Sequence, residues 1–154
     1  MKYFKLSEFA VSSSYPRLAK MPTGEIKTNI EYLVDYLLDP VRERIGKPIT
    51  VTSGYRPPEL NKAIGGVSTS NHLYGYAADV VCGNNRSDNL KIAIAVIELG
   101  LDFDELLLEE GTLTAPCWIH IAVKKKGNRK KLLWKDGKVW RKIRITKEWK
   151  VEKI

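Results

Sequence analysis

The sequence predicts an α+β domain, a small and largely antiparallel sheet with helices packed on one side. Three observations predict it. Helical and strand-like periodicities are interleaved, without the regular strand–helix–strand repeat that builds a parallel sheet. One long stretch, from Ile26 to Ile45, carries apolar residues at spacings of three and four. Several short runs are β-branched or apolar and are bounded by Gly or Pro. A length of 154 residues suits one domain able to bury a core without covalent staples.

The elements follow in order. Residues 6–24 mix Ser12-Ser13-Ser14, Pro16, Pro22 and Gly24 with a few apolar positions, an irregular lead-in. Ile26, Ile30, Leu33, Val34, Leu37, Leu38, Val41 and Ile45 form one face of a long amphipathic helix, ended by Gly46 and Pro48. Ile49-Thr50-Val51-Thr52-Ser53 is a short strand. Pro57-Pro58 breaks it, and a short helix begins over 58–63. Gly65-Gly66 opens a loop. Tyr76 to Cys82 reads as a buried strand. Ser87 is placed to cap a helix from Asp88 to Leu99, with Asp88 in its first turn and Gly100 beyond its end. Leu106-Leu107-Leu108 and Ile119 to Val123 are two more strands. Leu132 to Trp140 reads as a hairpin turning at Asp136-Gly137. No internal repeat is present.

Composition excludes some classes. Hydrophobic residues at 44% and charged residues at 29% are ordinary for a globular protein. No run approaches the ~18 apolar residues of a membrane span. Met1 to Glu8 has no apolar core of a signal peptide. The expectation is cytoplasmic synthesis, with any extracellular substrate reached by another route. Two cysteines, Cys82 and Cys117, are too few for a disulfide framework. Both are read as buried small apolar residues. The net charge of +8 is uneven. Residues 124–154 hold 14 Lys/Arg against Asp136, Glu148 and Glu152, a net of +11, which leaves −3 on residues 1–123. The basic end is read as either a solvated edge or a contact for a polyanion. Trp134, Trp140 and Trp149 are interleaved with its cations, and an anionic envelope polymer ranks ahead of nucleic acid as partner.

The chemistry concentrates in two strings. His72 and His120 are the chain's two histidines. Two imidazoles with one carboxylate make a three-ligand zinc site with an open fourth position, the pattern of a catalytic zinc. Asp79 lies seven residues after His72, with Gly75 between them to allow a turn. Its setting, Ala77-Ala78-Asp79-Val80-Val81, is apolar. A carboxylate there is costly unless a cation or donor pairs with it. On the last apolar strand Trp118, His120 and Ala122 share a face. Cys117, three before His120, and Cys82, three after Asp79, fall on the opposite parity and are not counted as ligands.

Ser70-x-His72-x-x-Gly75-x-Ala77-x-Asp79, followed by Trp118-x-His120, resembles the zinc D-alanyl-D-alanine carboxypeptidases and the related phage L-alanyl-D-glutamate endolysins. Those enzymes share their fold with the hedgehog signalling domain. The resemblance runs from about Leu6 to Val123, and Ser53-Gly54-Tyr55-Arg56-Pro57 is similar to that family's substrate-binding stretch. It implies a hedgehog/DD-peptidase-like fold, one zinc ion per chain held by His72, Asp79 and His120, and a peptidoglycan peptide as substrate. It implies a zinc peptidase core over 1–123, with 124–154 a basic hairpin extension of the same domain. Many family members place an acid three before the last histidine ligand, where this chain has Cys117. Asp104, Glu105, Glu109 and Glu110 are the alternatives for a general base, and Glu109, at the end of an apolar strand, is favoured.

Arg56 is assigned to a substrate carboxylate, since guanidinium binds it as a fork. The alternative is a surface arginine after a turn. Ser70 and Tyr74 are candidates for the substrate backbone, although Ser70 also suits a purely structural turn. Trp118 either lines the cleft or packs. The leading functional reading is zinc-dependent hydrolysis of stem peptides, by a D-Ala-D-Ala carboxypeptidase or an endopeptidase. Such an enzyme is expected to act on the wall as a phage-type lysis protein, after release through a holed membrane. The second reading is a hedgehog-like binding module that keeps zinc without turnover.

Overall fold

Pro40 falls inside the long predicted helix. It has no N–H to give the carbonyl four residues back, and its ring crowds that turn. The computed structural model, which describes residues 1–154, shows the consequence. The helix is α1 (Gly24–Leu33), then a π-helical turn over Val34–Leu38, then α2 (Asp39–Ile45) with Pro40 in its first turn. The widened turn admits the ring while Val34, Leu37 and Leu38 stay buried. Gly46, in the left-handed conformation at φ +69°, ends the run as expected.

The remaining elements are β1 (Ile49–Ser53), α3 (Pro58–Ala63), β2 (Ala77–Cys82), α4 (Arg86–Glu98), β3 (Glu105–Glu109), β4 (Trp118–Ala122), β5 (Lys131–Asp136), β6 (Val139–Ile145) and β7 (Val151–Lys153). They form one seven-stranded sheet in the order β1-β2-β4-β3-β5-β6-β7, antiparallel at every pair except β3 with β5. The α+β class and the largely antiparallel sheet are therefore as the sequence predicts.

Three local expectations need correction. The cap of α4 is Asn85, not Ser87, because the Asn85 carboxamide oxygen accepts from both the Ser87 N–H (3.1 Å) and the Ser87 hydroxyl (2.8 Å). The β5–β6 turn is shifted by one residue. Asp136 pairs with Val139, so Gly137-Lys138 makes the turn, with Gly137 at φ +65° where a two-residue hairpin needs it. Cys117 is half-buried rather than buried, since it precedes β4 in a loop, while Cys82 lies in the core. Strand β7 is too short and too polar to have been legible.

Strand parity divides the sheet into two faces. Ile49, Val51, Ala78, Val80, Cys82, Leu106, Leu108, Ile119 and Ile121 face the apolar side, where they join Ile30, Leu33 and Leu37 in one core. Helix α4 packs on β2, β3 and β4, and α2 packs on α4. Asn89 ties this layer together. Its oxygen accepts from the Cys82 N–H (2.7 Å), and its amide donates to the carbonyls of Pro116 (2.9 Å) and Cys117 (3.0 Å). Thr52, Asp79, Glu105, Glu109, Trp118, His120, Lys131 and Lys135 line a cleft on the other face, bordered by Leu60 of α3 and the loop that follows it.

Leu108 is fully buried between sheet and helices. Leu108→Ala is expected to lower unfolding stability by about 2–5 kcal/mol, read as a reduced urea midpoint at unchanged slope. A loss below about 1 kcal/mol would contradict its place in the core.

Candidate metal centre

His72 is placed by a short 3₁₀ turn, Asn71–Tyr74. The Ser70 hydroxyl oxygen caps it by accepting from the His72 N–H (3.2 Å). Gly75 closes it at φ +75°, where an added Cβ would lie 2.7 Å from the Ile26 carbonyl oxygen. Both constraints demand glycine there. The ring is fully buried, and its Nδ1–H donates to the Gly54 carbonyl (2.8 Å). Gly54 in turn lies against Phe9, whose Cα is 2.6 Å from where a Cβ would stand. With Nδ1 so engaged, the lone pair of His72 is at Nε2.

That Nε2 is buried with no hydrogen-bond partner, and it faces Asp79 Oδ1 at 3.3 Å. A lone pair aimed at a carboxylate oxygen is repulsive unless a cation lies between them. The third group comes from the neighbouring strand. Asp79 of β2 is directly opposite His120 of β4 in the antiparallel register, and His120 Nδ1 is 3.1 Å from Asp79 Oδ1. One ligand atom from each of His72, Asp79 and His120 lies within 4.8 Å of the others. Two imidazole nitrogens and one carboxylate oxygen at this spacing fit a zinc ion, and Asp79 and His120 line the cleft.

The electrostatics agree. Burial opposes ionisation of Asp79, but the two imidazoles outweigh it and hold the carboxyl well below the usual range. Burial lowers the pKa of His72. It also opposes protonation of His120, yet Asp79 and Glu105 on its two sides push that imidazole up to about 10. These shifts keep Asp79 ionised and His72 neutral, the forms in which each can ligate a metal.

Glu105, one of four acids the sequence offers as a base, takes a different place. It sits two residues from Leu107, the β3 partner of His120. Its Oε1 is 2.9 Å from His120 Nε2 and accepts from the Asn71 amide at 2.6 Å. With Nε2–H donated to Glu105, Nδ1, which faces Asp79, is the atom available to a metal once it gives up its proton, the carboxylate–histidine arrangement of metal sites. Asn71 also donates to Asp104 Oδ2 (2.8 Å). Asp104 is fully buried and is gripped by Arg129 through its backbone N–H (3.0 Å), Nε (3.0 Å) and Nη2 (2.7 Å). Burial works against ionisation of Asp104, but Arg129 and Asn71 hold it low. The alternation of Glu105, Leu107 and Glu109 was the available signal for this face. It becomes decisive only once β3 is paired with β4.

The other acids separate. Glu110, at φ +59°, turns to an ion pair with Lys135 (3.8 Å). Glu109 lines the cleft beside Trp118, its register partner, whose indole N–H donates to Glu109 Oε2 (3.0 Å). Burial, reinforced by the Asp79 charge, raises its pKa. Arg56 also lines the cleft. Its backbone N–H donates to the His72 carbonyl (3.0 Å), and Nη1 donates weakly to Asn61 (3.4 Å). Its Nε is buried without a partner, and burial lowers its pKa. Ser70 and Trp118 line the cleft too, Ser70 with its hydroxyl engaged as the turn's cap. Tyr74 does not. It is half-exposed outside the cleft with its ring tilted against Tyr76, because the 3₁₀ turn that buries His72 carries the residue two positions later outward.

Glu105→Ala is expected to weaken zinc binding by about 10–100-fold without removing the site, measured by competition with a chromogenic chelator. His72→Ala is expected to abolish stoichiometric binding. Equal affinity in Glu105→Ala and the parent would show that His120 needs no orienting carboxylate.

Two comparisons with known proteins bear on the identity of this chain. A stretch of 48 residues is 46% identical to the zinc D-Ala-D-Ala carboxypeptidase of Streptomyces albus G. It covers 30% of this chain but only 19% of that relative's length. The family described as Peptidase M15 matches residues 2–122. That match takes in all three candidate ligands and every element from the first turn to β4, and the chain belongs to the peptidase M15 family.

Proposed function

We propose that this protein is a zinc metallopeptidase that hydrolyses amide bonds in peptidoglycan stem peptides. The observation that carries the proposal is the partnerless His72 Nε2 facing Asp79, at a cleft of about 940 Å³ that also holds Glu109 and Arg56. The relative's named activity and the order of ligands along the chain support a hedgehog/DD-peptidase arrangement.

Zinc at the three ligands supplies Lewis acidity, which polarises a carbonyl and acidifies water toward a pKa of ~7. The chain's own residues do the rest. Glu109, with a carboxylate of raised proton affinity, takes the proton of the attacking water at Oε1 while Trp118 holds Oε2. The water oxygen bonds to the carbonyl carbon, the C–N bond breaks, and Glu109 returns the proton to the leaving nitrogen. Glu105 keeps the His120 ring in one orientation throughout. Arg56, with no carboxylate partner of its own, receives a free carboxylate on the leaving side. Both terminal D-Ala and D-Glu carry one, so Arg56 serves a carboxypeptidase and an L-Ala–D-Glu endopeptidase alike. No helix is long and apolar enough to cross a membrane. The strongly basic segment 124–154 supports action at an anionic envelope, in the manner of a lysis enzyme.

Mass spectrometry of peptidoglycan fragments after incubation with the zinc-loaded protein tests the activity. Products that disappear with chelator are expected, and their masses name the bond. Intact fragments from every wall chemistry, with one zinc bound per chain, would overturn hydrolysis in favour of a binding module. Glu109→Gln is expected to lower kcat/KM by about 10²–10⁴-fold while keeping its zinc. Full activity in that variant would remove Glu109 from the mechanism.

A further inference from the structure

The cleft does not end at the metal triad. It crosses the sheet from the β1 side to β5 and β6, so residues beyond the family match line it. On β5, Lys131, Leu133 and Lys135 share a face by parity. The parallel register sets Lys131 beside Glu105 and Lys135 beside Glu109 on β3. Both lysines line the cleft. Lys131 makes no salt bridge, and its register neighbour Glu105 is already committed to His120 and Asn71. Lys135 has only a long contact with Glu110 (3.8 Å). Trp140, opposite Lys135 on β6, also lines the cleft, exposed at 42%, and its ring lies 5.6 Å from the Lys135 ammonium. That cation–π contact holds the Lys135 stem in place.

We propose that Lys131 and Lys135, with Trp140 behind Lys135, form a subsite for a free carboxylate of the substrate peptide on the far side of the metal triad from Arg56. This rests on the stem-peptide reading in its D-Ala-D-Ala form, since the acyl side of an L-Ala–D-Glu bond carries no free carboxylate. Strand order supplies the distance. β5 lies two strands from His120, or about 10 Å at ~4.8 Å per strand. An extended peptide covers that in about three residues at ~3.3 Å each. Arg56 enters from the opposite end, after β1. The cleft thus presents cations on both sides of the triad and favours a peptide with acidic groups on both sides of the bond. A dipeptide-sized substrate would engage Arg56 alone.

The test is equilibrium binding to zinc-loaded Glu109→Gln, which separates recognition from turnover. The probes are the synthetic stem peptide L-Ala-γ-D-Glu-diaminopimelate-D-Ala-D-Ala and its analogue with the D-Glu and diaminopimelate carboxylates amidated. Lys131→Gln/Lys135→Gln in the same background completes a cycle that isolates the coupling. The acidic peptide is expected to lose about tenfold in affinity with the lysines removed and to weaken with added salt. The amidated analogue is expected to change little. Equal losses for both peptides, no loss for either, or no binding of the acidic peptide would each overturn the subsite. Zinc content of one per chain in every variant confirms that each is folded. Cleavage of wall fragments by the parent protein reports separately on hydrolysis, so the subsite and the activity fail independently.

Discussion

The antiparallel register between β2 and β4 is the constraint on which the rest depends. It sets Asp79 against His120 on one face while Ala78, Val80, Ile119 and Ile121 face the core on the other. A slip of one residue in either strand would turn its ligand candidate into the apolar layer and its apolar side chains into the cleft. The hydrophobic core therefore does more than stabilise the sheet. It fixes which face is polar, and so where the candidate metal centre lies.

The third ligand arrives by a different route. His72 is carried on a capped 3₁₀ turn whose closing glycine rests against α1, and its Nδ1 is tied to Gly54. Loop and strand are joined by Asn71, which reaches Asp104 and Glu105 on the far side of β4. Arg129 then clamps Asp104. A residue beyond the family match thus supports the network that orients His120. The basic segment is part of the sheet that carries the site, since β5 pairs along the whole of β3.

Much of this was legible in the sequence. The candidate ligand triad was legible because an aspartate set among Ala and Val has few alternatives to a cation, and because the chain holds only two histidines. The strands were legible from β-branched runs, and the helix ends from Gly46 and Gly100. The π turn was less so, because apolar spacing records which face is buried and not how the chain passes Pro40. The Asn85 cap was hidden by Ser87, which also suits that position. Glu105 and Lys131 were illegible for a deeper reason. Their roles depend on which strands are neighbours, and the order β4-β3-β5 includes a parallel crossover that local pattern does not encode. Tyr74 was misplaced because a residue near a ligand in sequence need not share its direction on a 3₁₀ turn.

The central claim is an open zinc centre made of His72, Asp79 and His120. X-ray absorption spectroscopy of the zinc-loaded protein tests it most directly. The account predicts one zinc per chain with two imidazole nitrogens and oxygen ligands at about 2.0–2.2 Å. A sulfur shell at about 2.3 Å would bring Cys82 or Cys117 into the site, and a closed four-protein-ligand shell would make the zinc structural. Either result would contradict the centre described here.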